Sequence, residues 1–219
     1  MGDDPTAVAA NLAVVCGVMG VAPGRLARME AAHGADVAVV TGPGVSRGVD
    51  ALLTRTPGLA LVAIGADCVP LALIGDDGST IAVAHCGWKG LAVDVIGATV
   101  DAMRSARAQV HHAILGPAAC GDCYAVPQER IDELARAATG AVSDAAITRA
   151  RDGQPAIDVR AGALARLAEL GILGDSVTVV GGCTIESPDH FSYRRDGRTG
   201  RQGVLVCTED PVSTSRMGA

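Results

Sequence analysis

"VPLALIGDDGSTIAVAHCGWKG", residues 69–90, contains two apolar runs separated by a short polar segment. The runs "VPLALIG" and "TIAVAH" are rich in aliphatic and β-branched residues, and "GDDG" between them is typical of a hairpin turn. The stretch therefore predicts two neighbouring sheet strands. The second strand leads directly into a histidine, a cysteine, a tryptophan and a lysine.

The flanking sequence predicts further strands and helices. Strands are expected at "DVAVV", "ALLT", "LALVAIG", "HHAILGP", "SVTVV" and "GVLVC", because these runs are short, apolar and bounded by turn residues. Apolar residues at helical spacing predict helices over residues 5–19, 93–106, 127–138 and 157–170. The pattern predicts one α+β domain over residues 1–207 and a flexible polar tail over residues 208–219.

Composition excludes several classes of protein. Aromatic residues make up 2% of the chain and its net charge is −6, so we expect no nucleic-acid binding, which needs a basic face and often stacking platforms. The longest apolar stretch, residues 59–74, is interrupted by Asp67 and Pro70, which predicts no membrane span. Seven cysteines without an export signal predict a cytoplasmic protein with reduced thiols.

Three separated residues could form a metal site. His33, Cys68 and His85 each lie at or near the end of a predicted strand, and strand ends converge at a sheet rim. Two imidazoles and one thiolate suit zinc or copper and leave a fourth position for water or substrate. The alternative is that each histidine is a hydrogen-bonded structural residue.

A second informative stretch is "FSYRRDGRTGR", residues 191–201. Four arginines crowd this glycine-containing segment of an acidic chain: Arg194, Arg195, Arg198 and Arg201. Guanidinium groups and backbone N–H groups at a glycine turn suit an anion such as phosphate. A solvated loop paired with surface carboxylates is the alternative.

Cys120 and Cys123 form the motif "CGDC". The pair is compatible with a redox centre, with half of a zinc site, or with two turn cysteines near a site. The last interpretation is favoured, because "YAVP" follows the motif where a redox centre needs a helix.

The motifs "GADCVPLAL", "AVAHCGWKGL", "LGPAACGDCYAVP" and "CTIESPDHFSYRRDGRTGR" resemble, in order and spacing, the signature blocks of the YfiH-type family. This family is also called laccase-domain or multicopper polyphenol oxidase-like. The resemblance covers essentially the whole chain. It implies an α+β fold whose mixed, largely antiparallel sheets are flanked by helices.

The resemblance also implies a function. Family members are purine nucleoside phosphorylases that also deaminate adenosine and cleave methylthioadenosine, so the implied partners are purine nucleosides and inorganic phosphate. A homodimer is left open. By motif, the catalytic metal, zinc or copper, falls on His33, Cys68 and His85. The residues expected to hold phosphate are Lys89, Arg194, Arg195, Arg198 and Arg201.

The chain departs from the family pattern at several positions. We expect it to lack the family's further N-terminal segment, and it carries Ala31, Cys86 and Lys89 where glutamine, alanine and arginine are usual. Three alternative functions stay open: a copper-dependent polyphenol oxidase, a hydrolase that edits peptidoglycan precursors, and an inactive binding protein.

Overall fold

The hairpin of residues 69–86 lies at the centre of the structure, a computed structural model that describes residues 4–208. Within these residues the strands are β1 (Leu26–Glu30), β2 (Val37–Val39), β3 (Gly44–Arg47), β4 (Ala51–Thr54), β5 (Ala60–Gly65), β6 (Val69–Gly75), β7 (Ile81–Cys86), β8 (Val110–Leu115), β9 (Ile147–Arg149), β10 (Pro155–Ile157), β11 (Val177–Val179) and β12 (Gln202–Cys207). The helices are α1 (Pro5–Val18), α2 (Trp88–Ala92), α3 (Val95–Ser105), α4 (Gln128–Ala137), α5 (Gly140–Ala146), α6 (Val159–Glu169) and α7 (Tyr193–Asp196).

Strands β6 and β7 pair antiparallel, with Val69 opposite Cys86 and Ile74 opposite Ile81. The turn between them is held by Asp77, whose carboxylate accepts hydrogen bonds from the backbone and hydroxyl groups of Ser79 and Thr80. The predicted hairpin is therefore confirmed. It occupies the middle of a six-stranded sheet of order β11-β8-β6-β7-β4-β2.

Both faces of this sheet are buried, and the alternation along β6 and β7 assigns residues to two cores. Leu71, Leu73 and Ala84 belong to a core shared with helices α2 to α6. Ala72 and Val83 point the other way, into a core shared with β1, β5 and β12. Because successive side chains of a strand point to opposite faces, one sheet supports a helical layer and a second sheet at the same time.

The second sheet has four strands in the order β12-β5-β1-β3, and β9 pairs with β10 in a small antiparallel ribbon. The central pairings β6–β7, β6–β8 and β4–β7 are antiparallel, whereas β2–β4, β8–β11, β1–β3 and β1–β5 are parallel. The predicted α+β class, with mixed sheets flanked by helices, is confirmed.

The first predicted helix is confirmed as α1, which Asp4 caps by accepting a hydrogen bond from the Thr6 N–H. The predicted helix at residues 93–106 is observed as α3, Val95–Ser105, because Val93 ends the separate helix α2, Trp88–Ala92. Asp94 then adopts a left-handed φ of 61° and caps α3. No helix among residues 4–208 is both long and apolar enough to cross a membrane.

Other differences concern short elements. Ile157 lies in β10 and not in the predicted helix, which begins at Val159. The sequence analysis missed β1, where the buried Ala27 and Met29 alternate with exposed charged residues, and β3, whose single large apolar residue is Val45. Of the predicted tail at residues 208–219, Thr208 donates a hydrogen bond to the Thr56 carbonyl, and the rest lies outside the described residues.

Candidate active site

The structure brings His33, Cys68 and His85 together at one end of the central sheet. His33 lies in the loop between β1 and β2 with a left-handed φ of 62°, and Cys68 directly precedes β6. His85 lies near the end of β7, opposite Pro70 of β6. The ligand atoms of the three side chains all lie within 4.8 Å of one another.

Asp50, which the sequence analysis missed, fixes two of these residues. It precedes β4, and the β4–β7 register places it beside His85, whose N–H donates to the Asp50 carbonyl oxygen at 2.8 Å. Its fully buried carboxylate accepts hydrogen bonds from the backbone N–H groups of Ala32, His33 and Gly34 at 2.7–3.0 Å. The loop that carries His33 is thus tied to the strand that carries His85.

The same carboxylate orients the His85 ring. The Asp50 Oδ1 atom lies 3.0 Å from His85 Nδ1, which leaves Nε2 as the nitrogen directed to the site. The rings of His33 and His85 meet edge to face, with centroids 4.9 Å apart. A carboxylate on the second nitrogen of a histidine is the arrangement that fixes metal-ligating imidazoles in proteins.

The structure explains why the first residue of "GWKG", Gly87, is a glycine. A Cβ atom at this position would lie 2.7 Å from Cys68 Sγ and 3.6 Å from His33 Cδ2. The contact with sulfur is too short for a real side chain, so a glycine is needed where the chain passes the thiol.

Electrostatics favour a thiolate at Cys68. Burial raises the pKa of this thiol, but hydrogen bonds and charge from His33 and His85 outweigh burial and lower the pKa to about 7. Burial lowers the pKa of His85, but the Asp50 carboxylate and Cys68 raise it to about 9. Burial raises the pKa of Asp50, and hydrogen bonds from His85 and the Ala32–Gly34 backbone lower it below its ordinary value.

These residues fit the metal that the sequence predicted. They offer one soft sulfur and two imidazole nitrogens within reach of a single ion, with His85 oriented by a buried carboxylate. Three protein ligands with a fourth position left for substrate are characteristic of catalytic metal sites.

The arginine loop, residues 191–201, docks beside Cys68 through Asp67, another residue that the sequence analysis missed. The buried Asp67 carboxylate accepts a hydrogen bond from Thr184 Oγ1 and one from the Arg194 backbone N–H, both at 2.7 Å. Arg194 begins the short helix α7 with Tyr193, and its guanidinium lies 4.4 Å from the Tyr124 ring centroid. Burial and, to a smaller extent, the charge of Cys68 raise the pKa of the Tyr124 hydroxyl.

The five predicted phosphate-binding residues differ in their surroundings. Arg195 donates to the carbonyl oxygens of Thr184, Ser187 and His190 and pairs with Asp196. Arg201 donates to the carbonyl oxygens of Thr199 and Gly200.

Four of the five predicted cations, Lys89, Arg194, Arg195 and Arg198, are exposed, and Arg201 is half-buried. The Arg194 guanidinium also donates a hydrogen bond to the Ala125 carbonyl oxygen. The Lys89 Nζ atom lies 5.7 Å from the centroid of the Trp88 ring, which Arg130 also approaches, with its guanidinium carbon 4.8 Å from the centroid. No sequence signal marked Tyr124 or Arg130 as neighbours of this site.

Solved structures share this architecture. YlmD from Geobacillus stearothermophilus superposes with a TM-score of 0.84 and 28% identity, over 95% of this chain and 82% of that one. YfiH from Bacillus licheniformis gives a TM-score of 0.83 and 25% identity, over 92% of this chain and 81% of that one.

Sequence comparison finds relatives named purine nucleoside phosphorylase. The protein of that name from Streptomyces coelicolor is 45% identical over 211 residues, which cover 94% of this chain and 84% of the relative. Another, from Streptomyces griseus, is 42% identical over 212 residues, with 94% and 83% coverage. The family described as "Multi-copper polyphenol oxidoreductase laccase" matches residues 1–209. The YfiH-type resemblance is thereby confirmed, and the chain belongs to this laccase-like family.

Proposed function

We propose that this protein is a metal-dependent purine nucleoside phosphorylase, which converts a purine nucleoside and inorganic phosphate to the free base and ribose 1-phosphate. The observation that carries the proposal is the meeting of His33, Cys68 and His85 beside the docked arginine loop. Relatives at 42–45% identity that bear this name support it. Zinc or copper suits the two-imidazole, one-thiolate donor set.

The chemistry assigns a task to each part of the site. In phosphorolysis a phosphate oxygen forms a bond to C1′ of the ribose while the bond from C1′ to the purine nitrogen breaks. The electron pair of that bond leaves with the base, which takes up a proton. Because positive charge develops on the ribose, the protein must hold the anion in line with the departing base. A metal held by His33, Cys68 and His85 supplies Lewis-acid stabilisation of negative charge.

The cationic residues divide between binding and support. Arg195 ties the loop to the segment before it, because it donates to the Thr184 and Ser187 carbonyl oxygens, and Arg201 donates to carbonyl oxygens of the loop itself. Lys89, Arg194 and Arg198 are exposed cations that we assign to phosphate. Arg194 is the strongest candidate, since its backbone is fixed by Asp67, the residue next to Cys68.

Phosphate-dependent release of hypoxanthine from inosine tests the proposal. Replacing Arg194 by Gln should raise the KM for phosphate by about 10- to 100-fold, because a charge-assisted hydrogen bond contributes about 1.5–3 kcal/mol. Arg136→Gln on the exposed end of α4 is the matched control. Hypoxanthine release at the same rate with and without phosphate would contradict phosphorolysis. An unchanged KM for phosphate in Arg194→Gln would show that Arg194 does not bind the anion.

The same assay examines the finer activities that we include in the proposal. Adenosine deamination should yield inosine and ammonia without phosphate, and methylthioadenosine should yield adenine only with phosphate. We also propose that the protein acts in the cytoplasm, where its seven unpaired cysteines would remain reduced. A homodimer stays a prediction.

The family description favours a second candidate, a copper-dependent polyphenol oxidase. Sustained oxygen uptake with a phenol by the copper-loaded protein, abolished in Cys68→Ala, would establish it. Release of an amino acid from a peptidoglycan precursor would instead identify the editing hydrolase. Nucleoside binding without turnover of any of these substrates would identify the binding protein.

A further inference from the structure

A second group of metal-ligand side chains lies in the part of the protein that follows β8. Cys120 and Cys123 of the "CGDC" motif meet Cys183 and Glu186, which are about sixty residues further along the chain. One ligand atom of each of the four residues lies within 4.8 Å of those of the other three. The sequence analysis identified only Cys120 and Cys123 of this group.

Backbone hydrogen bonds position the "CGDC" turn that carries Cys120 and Cys123. The N–H groups of Cys123 and Tyr124 donate to the Cys120 carbonyl oxygen at 3.2 and 3.0 Å, which closes a tight turn. Gly121 is required in that turn, because a Cβ atom there would lie 2.6 Å from the Thr148 methyl carbon. The turn brings the first two thiols to the same side.

Cys183 is anchored to this turn by its own hydrogen bonds. Ala118 forms a parallel bridge with Cys183, and the Cys120 N–H donates to Cys183 Sγ at 3.4 Å. Backbone donors aimed at a sulfur stabilise the thiolate form, which is the form that binds metal.

The surrounding charges complete the arrangement. Glu186 Oε2 lies 4.0 Å from Cys120 Sγ, while Oε1 forms an ion pair with the Arg151 guanidinium. One oxygen of the Glu186 carboxylate is thus directed to the thiols, and the other is held by Arg151. Three thiolates and a carboxylate around a divalent cation leave a net negative charge, which Arg151 reduces.

We propose that Cys120, Cys123, Cys183 and Glu186 form a structural zinc site, separate from the cluster of His33, Cys68 and His85. Three sulfurs and one oxygen supply the four ligands that a structural zinc takes, so this site leaves no position for substrate. It links the turn after β8 to the segment that leads into the arginine loop.

The proposed zinc would fix residues that position the candidate active site. Cys123 precedes Tyr124, the ring on which the Arg194 guanidinium rests. Cys183 precedes Thr184, whose hydroxyl donates to Asp67 next to Cys68. A metal that fixes both cysteines therefore fixes two residues that position the arginine loop.

Metal content of purified, zinc-supplemented protein tests the proposal independently of any activity. The wild type should hold two zinc equivalents, Cys68→Ser one, and the double variant Cys68→Ser/Cys183→Ser none. Cys207→Ser, a partly buried cysteine of β12 outside both clusters, should keep two. A Cys68→Ser protein without zinc would overturn the proposal, as would a disulfide between Cys120 and Cys123 in the isolated protein.

A milder variant covers the case in which Cys183→Ser does not fold. Arg151→Gln removes only the outer partner of Glu186, and in the Cys68→Ser background it should weaken zinc binding by about 10-fold or more. Cobalt titration of the same proteins should give the intense absorption of thiolate–cobalt bonds. Unchanged zinc affinity in Arg151→Gln, or cobalt bound without thiolate absorption, would contradict the proposed ligand set.

Discussion

The two sulfur-containing clusters of this protein are built from similar ligands but differ in number and support. The cluster of His33, Cys68 and His85 offers three ligand atoms at the end of the central sheet, and one of its members, His33, is exposed. The group formed by Cys120, Cys123, Cys183 and Glu186 offers four ligand atoms, all from loop segments. The number of ligands separates an open site that can take substrate from a closed one that stabilises structure.

The support also differs. A single buried carboxylate, Asp50, holds both the His33 loop and the His85 ring, so the first cluster is fixed by the sheet register. The second is held by the Cys120 N–H, which donates to Cys183 Sγ, and by the exposed Arg151, which pairs with Glu186. Substitutions in the first cluster should therefore affect turnover, and those in the second should affect stability.

The largest effect is expected from Cys68→Ser. The substitution exchanges the only sulfur of the first cluster for a hydroxyl, which is a far weaker ligand for zinc or copper. Phosphorolysis of inosine should fall by more than about 100-fold, beyond the loss typical for partners outside the ligand shell. The control Cys207→Ser should retain activity. Wild-type turnover in Cys68→Ser would show that the cluster takes no part in the reaction.

Asp50→Asn should have the next largest effect. The amide keeps the shape of the side chain but loses the charge that faces His85 Nδ1 and three backbone N–H groups. Metal affinity of the first cluster or activity should fall by about 10- to 100-fold, while the zinc of the second cluster is retained. Asp36→Asn, an exposed carboxylate near the same loop, is the control. Loss of both metals together would indicate general unfolding.

Gly87→Ala tests how closely the chain must pass Cys68. The new Cβ atom would lie 2.7 Å from Sγ, so the thiol or the backbone has to move. Forced packing of this kind costs about 1–3 kcal/mol, which corresponds to roughly a tenfold loss of metal affinity or more. Gly140→Ala, where a Cβ meets nothing within 4 Å, should bind both metals normally. Normal affinity in Gly87→Ala would show that the cluster tolerates a shift of the thiol.

The sequence predicted the parts of this molecule that depend on local pattern. The strands β6 and β7 and the turn between them follow from residues 69–90 alone, and both are confirmed. Helix α2 was missed because "GWKG" contains two glycines, which have low helix propensity, and the left-handed Asp94 that separates it from α3 has no clear sequence signature.

The site was predicted less completely, because its support depends on register and on distant segments. Asp50 reaches His85 only through the pairing of β4 with β7, and a single sequence does not fix that pairing. Charge alone likewise did not distinguish Arg195, which donates to the Thr184 carbonyl oxygen before its loop, from Arg194, whose guanidinium lies over the Tyr124 ring. Cys183 joins the "CGDC" turn across more than sixty residues, beyond the reach of any spacing rule.

Cys183→Ser should have the smallest effect on turnover and a clear effect on stability. Zinc present at about 100 times its Kd stabilises the folded state by about 2.7 kcal/mol, and each kcal/mol shifts the Tm of a protein of this size by about 2–4 °C. Thermal unfolding with added zinc should therefore show a Tm about 5–10 °C below that of the wild type. The kcat should change little, because no ligand of the first cluster is altered, whereas the KM for phosphate should rise as the support for Thr184 and the arginine loop weakens. A kcat as low as that of Cys68→Ser, with an unchanged Tm, would show that the two clusters act as one site and that their division into open and closed centres is wrong.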